Sequence, residues 1–140
     1  MPVLIEQFKD FYAELNLARL HELDTLYDDT VVFIDPVGEL NGLPALLAYF
    51  QTLCARLNYC RFRYESELVD GERAVIHWVM EYSHPRLARG ETLALHGATH
   101  LEFGQKIIYH RDYYDLGAMC YEHLPLLGSV TRRVRQRLAH

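Results

Sequence analysis

From Tyr59 onward the hydrophobic period of this chain becomes two, and it stays two for more than fifty residues. Alternation of that kind describes half-buried strands and excludes a helical continuation. The breaks in it fall at turn chemistry. Asp70-Gly71 is a two-residue hairpin signal, residues 84–90 form a longer loop, and Gly104-Gln105 is another tight turn. Four strands are therefore expected, over about 60–69, 72–84, 91–103 and 106–115, joined as an antiparallel meander. A sheet of this size needs a cover on at least one face.

The preceding residues supply that cover. Leu4, Phe8, Phe11 and Leu15 recur at helical spacing, with Ile5 and Tyr12 beside them, and predict an amphipathic helix over 3–16. A shorter helix over 18–27 uses Leu20, Leu23, Leu26 and Tyr27. A third, over 43–57, turns Leu46, Leu47, Phe50, Leu53 and Leu57 inward and carries Pro44 in its first turn, where a missing donor costs least. Leu124, Leu127, Val130, Val134 and Leu138 predict a C-terminal helix. The expected fold is α+β: one domain spanning 1–140, with an antiparallel meander covered on one face by three N-terminal helices.

Composition narrows the partners. The formal net charge of −5 argues against nucleic acid. The basic tail, with Arg132, Arg133, Arg135 and Arg137, suits a solvated helix face, a membrane surface or an intramolecular clamp. No apolar run is long enough to span a bilayer. The sequence opens on no signal-peptide pattern. Three cysteines without metal spacing suggest reduced thiols and a cytoplasmic location. Ten tyrosines suggest buried surfaces that keep a polar tip, in a pocket or at an interface.

Between the second and third helices, Val31–Asp35 reads as a strand that Pro36 stops. Asp35 ends it, flanked by Phe33 and Ile34. Two readings are open: a carboxylate capping the proline turn, or a carboxylate at the mouth of an apolar pocket that can move a proton.

Two stretches resemble known families. DDTVVFIDPVGELNG is similar to the ketosteroid isomerase segment that carries the catalytic base, and HRDYYDLG is similar to the last strand of limonene epoxide hydrolases. With the element order, they make the chain resemble the nuclear transport factor 2-like superfamily, in its SnoaL-like polyketide-cyclase branch. The resemblance implies a curved antiparallel sheet wrapped around the three N-terminal helices, forming a cone with a deep apolar pocket. It places Asp35 on the isomerase base, and Phe11 and Thr99 on the oxyanion-hole positions, with Tyr12 adjacent to the former. It places Asp112 and Glu81 on the two hydrolase carboxylates, and Val79 where that family has an arginine. A SnoaL-type base also lies on the last strand.

Strand alternation then sorts the side chains. If Asp112 points inward, so do His110 and Tyr114. If Glu81 points inward, so do His77 and Val79. Thr99 sits in an apolar row on its strand, and Phe62 and Tyr64 share a face of theirs. The expected catalytic set is Asp112 as general base, oriented by His110 or His77, with Asp35 and Glu81 as further carboxylates. The expected ligand contacts are Phe11, Tyr12, Phe33, Tyr64, Val79, Thr99 and Tyr114. The same groups could instead form a buried structural network. The expected ligand is a small, largely apolar oxygenated molecule, either converted by proton abstraction or water activation, or simply held. A protein-interaction role is the other alternative. No cofactor is expected, and no metal. His96 and His100 lie roughly 13 Å apart along a strand, and a convergence of His77, Glu81, His110 and Asp112 has no motif behind it. The opposite face would carry Ile76, Trp78, Met80, Tyr82, Ala94, His96, Ala98, His100, Ile107, Tyr109 and Tyr113. So apolar a face is expected to pair two copies into a homodimer.

Overall fold

The computed structural model describes residues 2–120, 133, 134 and 136–139. Helix α1 (Val3–Ala13) buries Leu4, Ile5, Phe8, Phe11 and Tyr12 on one stripe. The segment expected as one helix over 18–27 is a 3-10 turn, Leu17–Glu22, followed by a single turn of helix α2, Leu23–Leu26. Arg19 ties that turn back to α1, bonding Glu22 at 2.9 Å and Asp10 at 2.8 Å. Strand β1 (Tyr27–Asp35) pairs with the short strand β2 (Gly38–Asn41), and helix α3 (Leu43–Arg56) follows. The meander is β3 (Tyr59–Asp70), β4 (Arg73–Ser83), β5 (Leu93–Phe103) and β6 (Ile107–Tyr114), with α4 (Leu116–Cys120) after it. The predicted C-terminal helix over 124–138 lies outside the described residues, apart from a few positions near its end.

The six strands form one curved, unclosed sheet in the order β2-β1-β6-β5-β4-β3. All three meander pairings are antiparallel, as the alternation predicted. The β1–β6 pair is parallel, which makes the sheet mixed. A parallel neighbour needs a long crossover, and here α3 and the first three meander strands supply it. β2 was not expected, because Gly-Glu-Leu-Asn reads as turn. It is a short, mostly exposed edge strand, the kind that leaves little hydrophobic signal.

The core lies between the inner face of the sheet and α1, α2 and α3. β3, β5 and β6 present the expected residues to it, but β4 is reversed. Ala74, Ile76, Trp78, Met80 and Tyr82 are buried against the helices. Val75, His77, Val79 and Glu81 form the outer row. The phase predicted for β4 came from requiring Glu81 to face inward. Burying Trp and Ile in place of His and Glu decides it, since each large apolar side chain contributes roughly 1.5–3 kcal/mol when fully buried and an unpaired carboxylate costs several. Ile107 also faces the core, and a register irregularity beside Glu102/Phe103 accounts for that switch.

Candidate functional site

The inner face of the sheet carries a line of polar groups through an otherwise apolar core. Tyr12 Oη lies 2.6 Å from Tyr27 Oη, which lies 2.9 Å from His110 Nδ1. His110 Nε2 lies 2.7 Å from Asp112 Oδ1. From the other side, Trp78 Nε1–H donates to Thr99 Oγ1 at 2.8 Å, and the Thr99 hydroxyl donates to the same Asp112 oxygen at 2.5 Å. The elements explain the convergence. His110 and Asp112 are two residues apart on β6 and share a face. Thr99 is the register partner of Asp112, and Tyr27 begins the strand beside β6.

These bonds have a consistent direction. A threonine has one hydroxyl proton and an indole only a donor, so that arm runs Trp78 to Thr99 to Asp112. On the other arm, an imidazole carrying a single proton, on Nε2, would donate to Asp112. Its Nδ1 then accepts from Tyr27, which in turn accepts from Tyr12. Every proton has an acceptor, and both arms end on Asp112 Oδ1. Burial pushes the Tyr12 and Tyr27 hydroxyls well above the usual phenol range, so they remain donors. Rings of Phe8, Tyr12, Tyr27 and Phe33 surround the imidazole, with Phe33 centred 4.4 Å away. His110 is 2 % exposed and Asp112 17 %, so the carboxylate is the end of the relay that can be reached. Among the described residues, Asp112 Oδ2 has no hydrogen-bond partner.

Asp112 lines a cavity of about 50 Å³, together with Asp35, Tyr12, Phe33, Tyr49, Phe50, Phe62, Trp78 and Tyr114. Leu15, Leu53, Leu57, Cys60, Met80 and Leu95 complete the wall. The deep open pocket implied by the resemblance is therefore largely filled by aromatic side chains, since ordinary ligand sites run to several hundred Å³. A second space of about 10 Å³ touches Tyr64, Thr99, His110 and the other side of Asp112. Asp35 both caps the proline turn and lines the cavity. Its Oδ1 accepts from the backbone amides of Val37 and Gly38, capping the turn, and the Tyr49 hydroxyl donates to Oδ2 at 3.3 Å at the cavity wall. Burial, and then the neighbouring Asp35 charge, push the Tyr49 hydroxyl up.

The structure thus brings together Asp35, Asp112, His110, Thr99, Tyr12, Phe33 and Tyr114. Tyr64 reaches only the smaller space, and its hydroxyl donates to the Lys9 carbonyl. His77 and Glu81 are on the outer face. Glu81 pairs with Arg63 at 3.0 Å and Arg61 at 3.8 Å, and His77 bonds Ser66 at 3.2 Å. Val79, buried between its strand partners Arg63 and His96, lines neither space. Phe11 is core: its ring packs edge-on to Tyr12 and under Arg19, and Tyr12 takes the cavity side of α1. Sequence reasoning missed Trp78, Tyr27 and Tyr49 as site residues. The bulky row of β4 pointed to the first, and Gly97 was a second clue. A Cβ there would sit 2.3 Å from the Trp78 ring, so the glycine makes room for the indole. No group of three or more metal-ligating side chains converges among the described residues.

A helix-backed curved sheet with a carboxylate on its inner face defines the class: this is the NTF2-like, or ketosteroid isomerase-like, fold. The family model for the SnoaL-like domain matches residues 8–110, and the chain belongs to that family. A protein of ketosteroid isomerase-like fold from Catenulispora acidiphila, solved in complex with trimethylamine, is similar at 18% identity, covering 91% of this chain and 94% of that one with a TM-score of 0.74. A protein from Shewanella denitrificans described as a SnoaL-like polyketide cyclase shares 19% identity over 85% of this chain and 95% of its own, with a TM-score of 0.72. Another so described, from Jannaschia, shares 14% over 84% and 86%, with a TM-score of 0.72. No curated protein sequence matches the chain. None of the helices among the described residues is long and apolar enough to cross a membrane.

Proposed function

We propose that this SnoaL-like chain holds a small, largely apolar molecule in the inner cavity and takes a hydrogen bond or a proton from it at Asp112. One observation carries the reading: Asp112 Oδ1 is fixed by His110 and Thr99, while the same carboxylate lines an aromatic cavity. A base must be oriented and within reach before its proton affinity matters. The relay supplies the orientation. Proton abstraction beside a carbonyl, or activation of a water, would leave the proton on Asp112, with Asp35 as the second carboxylate. Non-catalytic binding is the second reading. It is favoured by the Tyr12 and Tyr49 hydroxyls, both already engaged within the protein and so not free to meet a developing oxyanion.

Trp78 is the sole tryptophan and lines the cavity, so its emission reports occupancy. Cyclopentanone, cyclopentanol and cyclopentylamine are suitable probes. At least one should shift the emission saturably in the wild type, and more weakly in Asp112→Asn. Deuterium exchange at the α-carbons of cyclopentanone, accelerated by the wild type and not by Asp112→Asn, would mark an enzyme. Binding without exchange would mark a holder. An emission unmoved by all three would refute the reading.

A further inference from the structure

The walls of the inner cavity are electron-rich and short of donors. Seven of the residues around it are aromatic: Tyr12, Phe33, Tyr49, Phe50, Phe62, Trp78 and Tyr114. Among the described residues that line it, none is Lys, Arg or His, and two, Asp35 and Asp112, are acids. The Tyr12, Tyr49 and Trp78 donors are directed at Tyr27, Asp35 and Thr99. With those donors engaged, the described walls offer a ligand mainly aromatic faces and carboxylate oxygen, Asp112 Oδ2 above all. Aromatic faces carry negative quadrupole density and attract cations. An anion would meet those faces and the two carboxylates.

From this we infer that the natural ligand of the cavity carries a protonated amine, whose N–H meets Asp112 and whose alkyl groups lie against the rings. The inference rests on the binding reading above and names the class of ligand. The space limits its size. At 10–15 Å³ per water-sized centre, 50 Å³ admits roughly three to five such centres, so the buried part is a compact aliphatic or small cyclic ammonium. The neighbouring hydroxyls carry the same sign of field: after burial, the charges of Asp35 and Asp112 also push Tyr49 up, and that of Asp112 acts likewise on Tyr12 and Tyr27.

Cyclopentylammonium and cyclopentanol are near-isosteres that both donate a hydrogen bond, and only the first is charged. Titrated against the full chain at neutral pH and followed by Trp78 emission and the Trp78 Nε1–H resonance, the ammonium should bind about tenfold tighter or more. That preference should shrink in Asp112→Asn, and in Asp35→Asn if the first variant does not fold. Equal or tighter binding of cyclopentanol would overturn the ligand class and leave the cavity reading intact. So would a preference that neither variant reduces. If neither compound perturbs Trp78, both the ligand class and the cavity reading fall.

Discussion

Replacing Gly97 by alanine is the smallest change that tests the packing of the site. The new methyl would stand 2.3 Å from Trp78 Cη2 and 2.7 Å from Cζ2 and Cζ3. Carbon atoms rest at about 3.5–4.0 Å, so the indole has to retreat by more than an ångström. Gly97 is paired with Trp78 on β4 and with Tyr114 on β6, so the strand itself cannot yield. Overpacking of this sort costs about 1–3 kcal/mol. If the ring moves, the 2.8 Å bond to Thr99 breaks, and an unpaired buried N–H adds about 1–3 kcal/mol. The total is roughly 2–6 kcal/mol. At about 3 °C per kcal/mol for a chain of this length, the melting temperature should fall by roughly 6–18 °C. Circular dichroism melts would measure the loss, and Trp78 emission would shift as the indole leaves its bond. In a Trp78→Phe background the same alanine should cost at least about 1 kcal/mol less, because the clashing atoms are gone. An unchanged melt and an unchanged spectrum for Gly97→Ala would refute the placement of Trp78.

Tyr27→Phe removes the donor to His110 Nδ1 and should cost about 1–3 kcal/mol. Nitrogen-15 NMR should then show the imidazole losing its Nε2–H preference, whereas an unaltered tautomer would contradict the relay. Tyr12, Tyr27 and Tyr49 all have hydroxyls raised above their unfolded values, so the stability they contribute is complete below about pH 10 and is lost as the pH rises toward their folded values. Melts from pH 8 to pH 11 should fall steeply at the alkaline end, and a flat profile would argue against their burial. Burial pushes the Cys60 thiol up to about 12, and that of Cys54 is raised less. Mass spectrometry after iodoacetamide treatment at mildly alkaline pH should show Cys54 alkylated well before Cys60. Pairing of two copies through the outer sheet face is a proposal that now rests on Ala98, Tyr109 and Tyr113, since Trp78 lies inside. Sedimentation should give a dimer at micromolar concentration, and a monomer would end the proposal.

The meander was legible because its alternation runs through three separate turn signals. The β1–β6 pairing was not, because a parallel contact between distant strands leaves no local trace. At the site, Asp112, His110, Thr99 and Tyr114 could be placed from β5 and β6, where the apolar row and the candidate base agree on one phase. On β4 the two signals disagreed. Following the carboxylate put Glu81 and His77 inside, whereas the weight of Ile76, Trp78 and Met80 decides the true phase. Phe11 and Tyr12, both expected at the ligand, divide for a related reason: of the two, Tyr12 lines the cavity. Both lie on the buried stripe of α1, and periodicity does not say which one meets the cavity. The tautomeric direction of the relay depends on Tyr27 reaching His110 across 83 positions of sequence, which only the fold brings about.

The most direct test is a crystal structure of the chain soaked with cyclopentylamine at neutral pH. The account predicts the compound on the inner face, its nitrogen within about 2.6–3.2 Å of Asp112 Oδ2 and its ring among Tyr49, Phe62 and Trp78. Electron density confined to surface grooves, with the inner cavity closed and Asp112 contacted by protein alone, would contradict it.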